Sequence, residues 1–183
     1  MTDVQVLTRW FEELEVGDRF QTRGRTVTET DVVQFAAMTG DMHPQHTDEQ
    51  WAAEGRFGGR VAHGMLVLSY AMGLVPFDPE RVVALRGLDR VSFKRPVGLG
   101  DTISVSGAVA ELTPLDEGHG LVGTDLRVRN DEGGLVARAR VNAVWRSASD
   151  SEEADPGASA SEGEDADPGA TAEEPESLAG SPQ

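Results

Sequence analysis

Cysteine is absent from the sequence, so neither a disulfide framework nor a thiolate metal site is available to it. Long hydrophobic runs are missing too. The longest, GMLVLSYAMGLV at 64–75, is well short of the ~20 residues that a bilayer-crossing helix needs. The opening, MTDVQVLTRW, has no basic stretch followed by an apolar core, so no secretory leader is expected and a soluble cytoplasmic protein is. No lysine or arginine follows Arg146, although eleven acidic residues do. The net charge of −16 is therefore misleading: residues 1–146 hold 21 acidic and 16 basic residues, a net of −5. No basic patch with interleaved aromatics occurs, which argues against nucleic acid as a partner.

What is present divides into two parts. Residues 1–146 are long enough for one domain with a sizeable core. From 147 to 183 the composition turns to Ala, Gly, Ser, Pro, Asp and Glu, with ADPGA repeated at 154–158 and 166–170. Such a segment buries too little apolar area to offset its ordering entropy, and is expected to be a disordered acidic tail.

Within the first part, Gly17-Asp18 marks a turn before a strand expected near 19–27. TETDVVQFAAMTG reads as a helix: Thr28 and Asp31 suit a capped start, Val32, Phe35 and Ala36 form the apolar stripe, and Gly40 suits the stop. Thr47 and Gln50 have capping-box spacing, predicting a second short helix through Ala53. A third, from about His63 to Val75, is apolar nearly all round and closed by Pro76, so it reads as buried. Beyond it the period changes to two. Ile103, Val105 and Val109, then Val122, Leu126 and Val128, then Ala137, Ala139, Val141, Ala143 and Trp145 alternate with polar or small neighbours. NDEGG at 130–134 joins two of these runs as a hairpin, and ALRGLDRVSF supplies a further strand or two. The pattern is α+β: an antiparallel sheet wrapped around one long buried helix.

Chemistry concentrates in TGDMHPQHTDEQ, residues 39–50, which holds Asp41, His43, His46 and Asp48. All four are feasible metal ligands by type. Pro44 disfavours helix at His43, however, which removes helical i,i+4 ligand geometry, and no HExxH pattern is present; no metal is expected. Asp48 suits the first turn of a helix, where negative charge meets the dipole. Taken as isolated residues, Asp41 and His46 read better as structural than as chemical, Asp41 as a turn-forming residue after Gly40.

The order of motifs goes further. Gly40, Asp41, Pro44 and His46, then Phe57, then His63, Gly64 and Met65 resemble the hydratase-2 pattern of the MaoC-like family, G-D-x-N-P-x-H followed by a short helix, a Phe-containing loop and H-G-M/L. The family includes (R)-specific enoyl-CoA hydratases and related acyl-thioester dehydratases. The likeness extends upstream to FEELEVGDRF and downstream to VSFKRPVGLGDTISV, covering roughly residues 10–146. It implies a hot-dog fold, usually a homodimer, and a hydro-lyase of fatty acid metabolism. Such an enzyme hydrates 2-enoyl thioesters, or dehydrates 3-hydroxyacyl thioesters, carried on coenzyme A or a carrier protein, with no cofactor.

By that resemblance Asp41 and His46 are the catalytic pair, and the Gly64 amide at the start of the helix meets the thioester oxygen. Orphan donors and the helix dipole coincide there. The family's usual Asn is His43 here. An imidazole offers one donor and one acceptor only in the right neutral tautomer, so a positioning role for His43 predicts activity falling at mildly acidic pH. Lys94 and Arg95 are candidates for phosphates of the carrier, with solvated strand charges the alternative; Arg60 is a similar case. Met65 and His63 flank Gly64, among the expected substrate-binding positions, although His63 also suits a helix-capping role. His119, in a Gly-flanked turn, is expected to do nothing chemical. Two rivals remain. One is a hot-dog thioesterase, disfavoured because 63–75 carries no carboxylate. The other is a non-catalytic acyl-thioester-binding module.

Overall fold

The computed structural model describes residues 4–149. Two 3-10 turns, Val4–Thr8 and Phe11–Glu13, precede two short strands, β1 (Arg19–Gln21) and β2 (Arg25–Thr26). The single strand expected over 19–27 is thus broken in two. Helices α1 (Glu29–Thr39), α2 (Pro44–Thr47), α3 (Glu49–Ala53) and α4 (Gly64–Leu74) follow, then four long strands: β3 (Val82–Phe93), β4 (Thr102–Pro114), β5 (His119–Asn130) and β6 (Leu135–Arg146). The strands form one antiparallel sheet in the order β1-β4-β5-β6-β3, with β2 also pairing β4. The stretch at 82–93 is one strand whose pairing with β6 is interrupted by three register shifts. The tail expectation from residue 150 onward lies outside the described residues. Among the described residues no helix is long and apolar enough to cross a membrane.

The two-residue period places its apolar set on one face. Ile103, Val105, Val109, Val122, Leu126, Val128, Val141 and Trp145 are all at most 1% exposed, and they close over Leu66, Val67 and Ala71 of α4. Gly107 lets this face bend around the Phe20 ring, which a Cβ there would overlap. The periodic expectation for α4 needs one correction. Met65, Ser69 and Gly73, spaced at four residues, leave a strip exposed, so the helix is buried on one side rather than all round. A sheet of this curvature covers one flank of a helix and leaves the other to whatever packs there.

Local capping follows the sequence for α1. The Thr28 side chain accepts from the Asp31 amide, Asp31 reaches back to the Thr28 amide, and Gly40 ends the helix at φ 78°; a left-handed residue costs glycine little. For α3 the cap is Asp48, not Thr47: its carboxylate accepts from the Trp51 amide at 3.0 Å. Thr47 closes α2 instead, its hydroxyl within reach of the Met42 and His43 carbonyls.

At its other end the described chain is pinned to the body. Ser147 is buried and bonded through its hydroxyl to Glu12, whose carboxylate also accepts from the Ala148 amide at 3.0 Å.

Candidate active site

The 40–48 segment turns sharply because α1 stops at Gly40 and Pro44, at the first position of α2, fixes the next start. This turn brings Asp41 and His46 together. A carboxylate oxygen of Asp41 and one ring nitrogen each of His46 and His63 lie mutually within 4.8 Å. His46 is 8% exposed, and its Nδ1 donates to the Val61 carbonyl at 2.7 Å. A carbonyl only accepts, so the proton sits on Nδ1 and Nε2 keeps its lone pair. Burial pushes the His46 imidazole below its ordinary value, and the neighbouring His63 adds to the effect. It is therefore neutral near pH 7, with Nε2 left as an acceptor.

His63 does more than start a helix. Its side chain makes no cap bond. Its Nε2 donates to the backbone carbonyl of Asp41 at 3.0 Å, and its ring stacks on His46 with centroids 3.8 Å apart and planes 25° apart. At 3% exposure it is buried against His46 rather than on a surface. Its sequence signal, a histidine just before Gly64, indicated a helix start or a substrate contact and not this tie across 22 residues. The stacking also bears on the metal reading. Stacked rings hold their in-plane lone pairs in nearly parallel planes, whereas ligands of one ion must converge on it.

His43 caps α2. Its Nδ1 accepts from the Gln45 amide at 3.1 Å, and its ring meets Trp51 edge-on at 5.4 Å. An N-cap Asn presents its side-chain oxygen for the same bond, so imidazole Nδ1 can replace that oxygen. Protonating Nδ1 would set two donors against each other. His43→Ala is expected to cost about 0.5–2 kcal/mol of capping, concentrated on the four-residue helix that carries His46, and to lower kcat. His43→Asn, which keeps an acceptor for the Gln45 amide, should restore both. Melting curves and steady-state rates of the two variants check this; equal behaviour of both would remove the capping role.

Gly64 opens α4. Its amide, one of the orphan donors of a helix start, has no hydrogen-bond partner among the described residues. A Cβ at this position would stand 3.1 Å from the Phe93 ring. The glycine borders a cavity of about 390 Å³ whose lining includes Gln45, Phe57, Phe93, Lys94 and Arg95. Apolar and aromatic surface lies next to the glycine, and three cations, Arg56, Lys94 and Arg95, stand among the lining residues. Met65 is exposed and outside this lining. Arg60 is engaged elsewhere, bound to Glu29 at 2.7 Å and Glu49 at 2.9 Å, which ties α1 to α3. His119 pairs with Asp116 at 2.9 Å. On α4, Ser69 donates back to the Met65 carbonyl and Tyr70 lies under the Arg25 guanidinium, so neither stands ready as a nucleophile.

Residues 12–129 match the family model described as a MaoC like domain. Among curated proteins, the chain is 44% identical over 98 residues to Protein MaoC of Klebsiella aerogenes, covering 53% of this chain and 29% of that protein. It is 31% identical over 125 residues to an (R)-specific enoyl-CoA hydratase of Aeromonas caviae, covering 68% and 90%. Among solved structures it superposes on a MaoC-like dehydratase from Rhodospirillum rubrum with a TM-score of 0.69 at 27% identity, covering 76% and 97%. The chain thus spans less than a third of one curated relative and nearly all of another.

Proposed function

Because the chain belongs to the MaoC-like domain family and has its hot-dog fold, we propose that it is a hydro-lyase adding water reversibly across the double bond of 2-enoyl thioesters. The observation that carries this reading is the gathering of the Asp41 carboxylate and a ring nitrogen of the neutral His46 within 4.8 Å of each other. One water can donate a proton to each. As its oxygen bonds Cβ, one proton passes to the pair, and the pair returns a proton to Cα, so one water is added and the site is restored. The thioester oxygen gains charge as the enolate forms. The Gly64 amide, reinforced by the dipole of α4, is placed to stabilise it. The cavity beside Gly64 takes the acyl group, with Lys94 and Arg95 toward the phosphates of the carrier. His63 acts through its neighbours as a positioning residue, fixing the Asp41 backbone and bracing the His46 ring. Run in reverse, the same groups dehydrate a 3-hydroxyacyl thioester.

The proposed assembly is a homodimer in the cytoplasm. β3 is an edge strand of twelve residues, and Val83, Leu85, Val91 and Phe93 are exposed on it. A long apolar edge invites pairing with a second copy.

Incubation with crotonyl-CoA and with longer or branched enoyl-CoAs should bleach the conjugated thioester absorbance. Silence across the whole panel would remove the coenzyme A thioesters from the reading. The pH profile makes a separate prediction. His46 must be neutral to act, and burial depresses its pKa. Activity is therefore present above that lowered pKa and lost as pH falls through it. kcat/KM, which reports the free enzyme, should stay level through the ordinary imidazole value of ~6.5 and drop only below it. A drop centred above that value would contradict the assignment.

A further inference from the structure

The outer face of the sheet carries a charge pattern that the proposed chemistry does not use. Arg127 of β5 and Arg138 of β6 are direct cross-strand partners, an arrangement in which like charges repel. Both are exposed. Arg138 donates to the Ser92 hydroxyl at 3.0 Å, which leaves its charge uncompensated. Among the described residues, Arg127 has neither a hydrogen-bonded nor an ion-paired partner. In the next row Arg140 is already held by Asp125 and Glu111. Arg90 joins the unpaired set from β3. It is the one described non-glycine residue with positive φ, at 52°, and it sits in a bulge between Asp89 and Ser92. That conformation is costly for a residue with a Cβ, and bulges re-aim side chains. Here Arg90, Arg127 and Arg138 line one hollow of about 520 Å³ whose only acidic lining residue is Asp125.

We propose that this arginine face binds the acidic segment 150–183 of the same chain, chiefly through Glu162, Glu164, Asp165 and Asp167. The charges are complementary: the segment holds eleven acidic and no basic residues. The reach is sufficient. The described chain leaves at Ser149, whose hydroxyl donates to the Glu117 carbonyl at 2.5 Å. Arg138 lies eight residues up β6 from Arg146, which is ~26 Å at strand spacing. Residues 150–162 can span ~43 Å when extended, so 162–167 reach the hollow while 150–155 need not. The exit itself is acidic, with Glu12, Asp116 and Glu117 around it, and repels the segment from that end. Tethering supplies a high effective concentration, so individually weak charge contacts suffice. The inference stands whether or not the chain is a hydratase.

The lack of cysteine makes the test clean. A nitroxide on Ser161→Cys in the full chain, with isotope-labelled amides, should broaden resonances around Arg90, Arg127 and Arg138. The effect is expected at about 0.01 M salt, where the screening length is ~30 Å, and lost at about 1 M, where it is ~3 Å. Two variants should abolish it: Arg127→Glu with Arg138→Glu, and the neutral set Glu162→Gln, Glu164→Gln, Asp165→Asn, Asp167→Asn. The second set lies outside the described domain and keeps the test valid if the first perturbs the sheet. Broadening that is absent, salt-independent, unmoved by the neutral set, or centred on Lys94 and Arg95 would overturn the proposal. So would broadening seen only between labelled and unlabelled copies in a mixed sample, which would assign the face to a second molecule.

Discussion

Asp41→Asn and His46→Gln are each expected to lower kcat for enoyl-thioester hydration by about 10²–10⁴, the usual worth of a positioned acid–base group, or ~2.7–5.4 kcal/mol of barrier. KM should move little. Asp41→Asn keeps the shape of the side chain and an oxygen for the His43 amide, whereas His46→Gln gives up the ring stacked on His63 and keeps a donor. The Asp41 carbonyl stays bonded to His63, and the glutamine amide can still donate to the Val61 carbonyl. The double variant should fall only slightly below the worse single one, because residues that act on one water are not additive. Rates on crotonyl-CoA, with melting curves to exclude unfolding, check this. Retention of more than about a tenth of the wild-type rate by either variant would fall outside the range for a positioned acid–base group and remove it from the proton path. Additive losses would mean that the two groups serve separate steps.

Trp145→Ala is expected to produce the largest loss of stability. The side chain is fully buried at the end of β6, edge-on to Phe77 at 6.3 Å, and its Nε1 donates to the Arg9 carbonyl at 2.9 Å. On either side its backbone pairs Val82 of β3 and Gly120 of β5. One residue therefore joins the N-terminal turns to the closed end of the sheet. Truncating a buried tryptophan costs about 3–5 kcal/mol through lost transfer energy and the cavity left behind. A whole domain has a stability of only ~5–15 kcal/mol, so this is a large fraction. Trp145→Phe should cost less, since it keeps most of the ring volume and gives up the indole hydrogen bond, worth about 0.5–1.5 kcal/mol. Urea unfolding at constant m-value separates the two. If the alanine variant lost under about 1 kcal/mol, the core at this end would have to collapse far better than cores of this kind do.

Much of the site's support consists of contacts that no local pattern encodes. The order Gly40, Asp41, Pro44, His46, then His63 and Gly64, was legible, and so was the expectation that an aspartate and an imidazole separated by a proline would have to converge through a turn. Three things were not legible: the carbonyl that fixes the His46 tautomer comes from Val61, the ring braced against it from His63, and the Nδ1 of His43 stands in for an amide oxygen. Each depends on a contact made across a turn or between elements. Lys94 and Arg95 read more readily as solvated strand charges than as phosphate contacts, and only the path of the chain from β3 toward β4 places them in the cavity beside Gly64.

By itself the sequence determined the elements whose causes lie within a few residues. The reciprocal cap of Thr28 and Asp31, the glycine stop at 40 and the period-two burial of β4, β5 and β6 all follow from short-range sterics and hydrogen bonding. Tertiary structure decided whatever depends on which distant residues meet: which flank of α4 the sheet covers, that Asp48 rather than Thr47 starts α3, that His63 backs His46, and that Arg127 faces Arg138. The reason is physical. Backbone geometry and capping are set by neighbours along the chain, while side-chain partners, tautomers and uncompensated charges are set by the register of strands and the crossing of elements, which a linear pattern constrains only weakly.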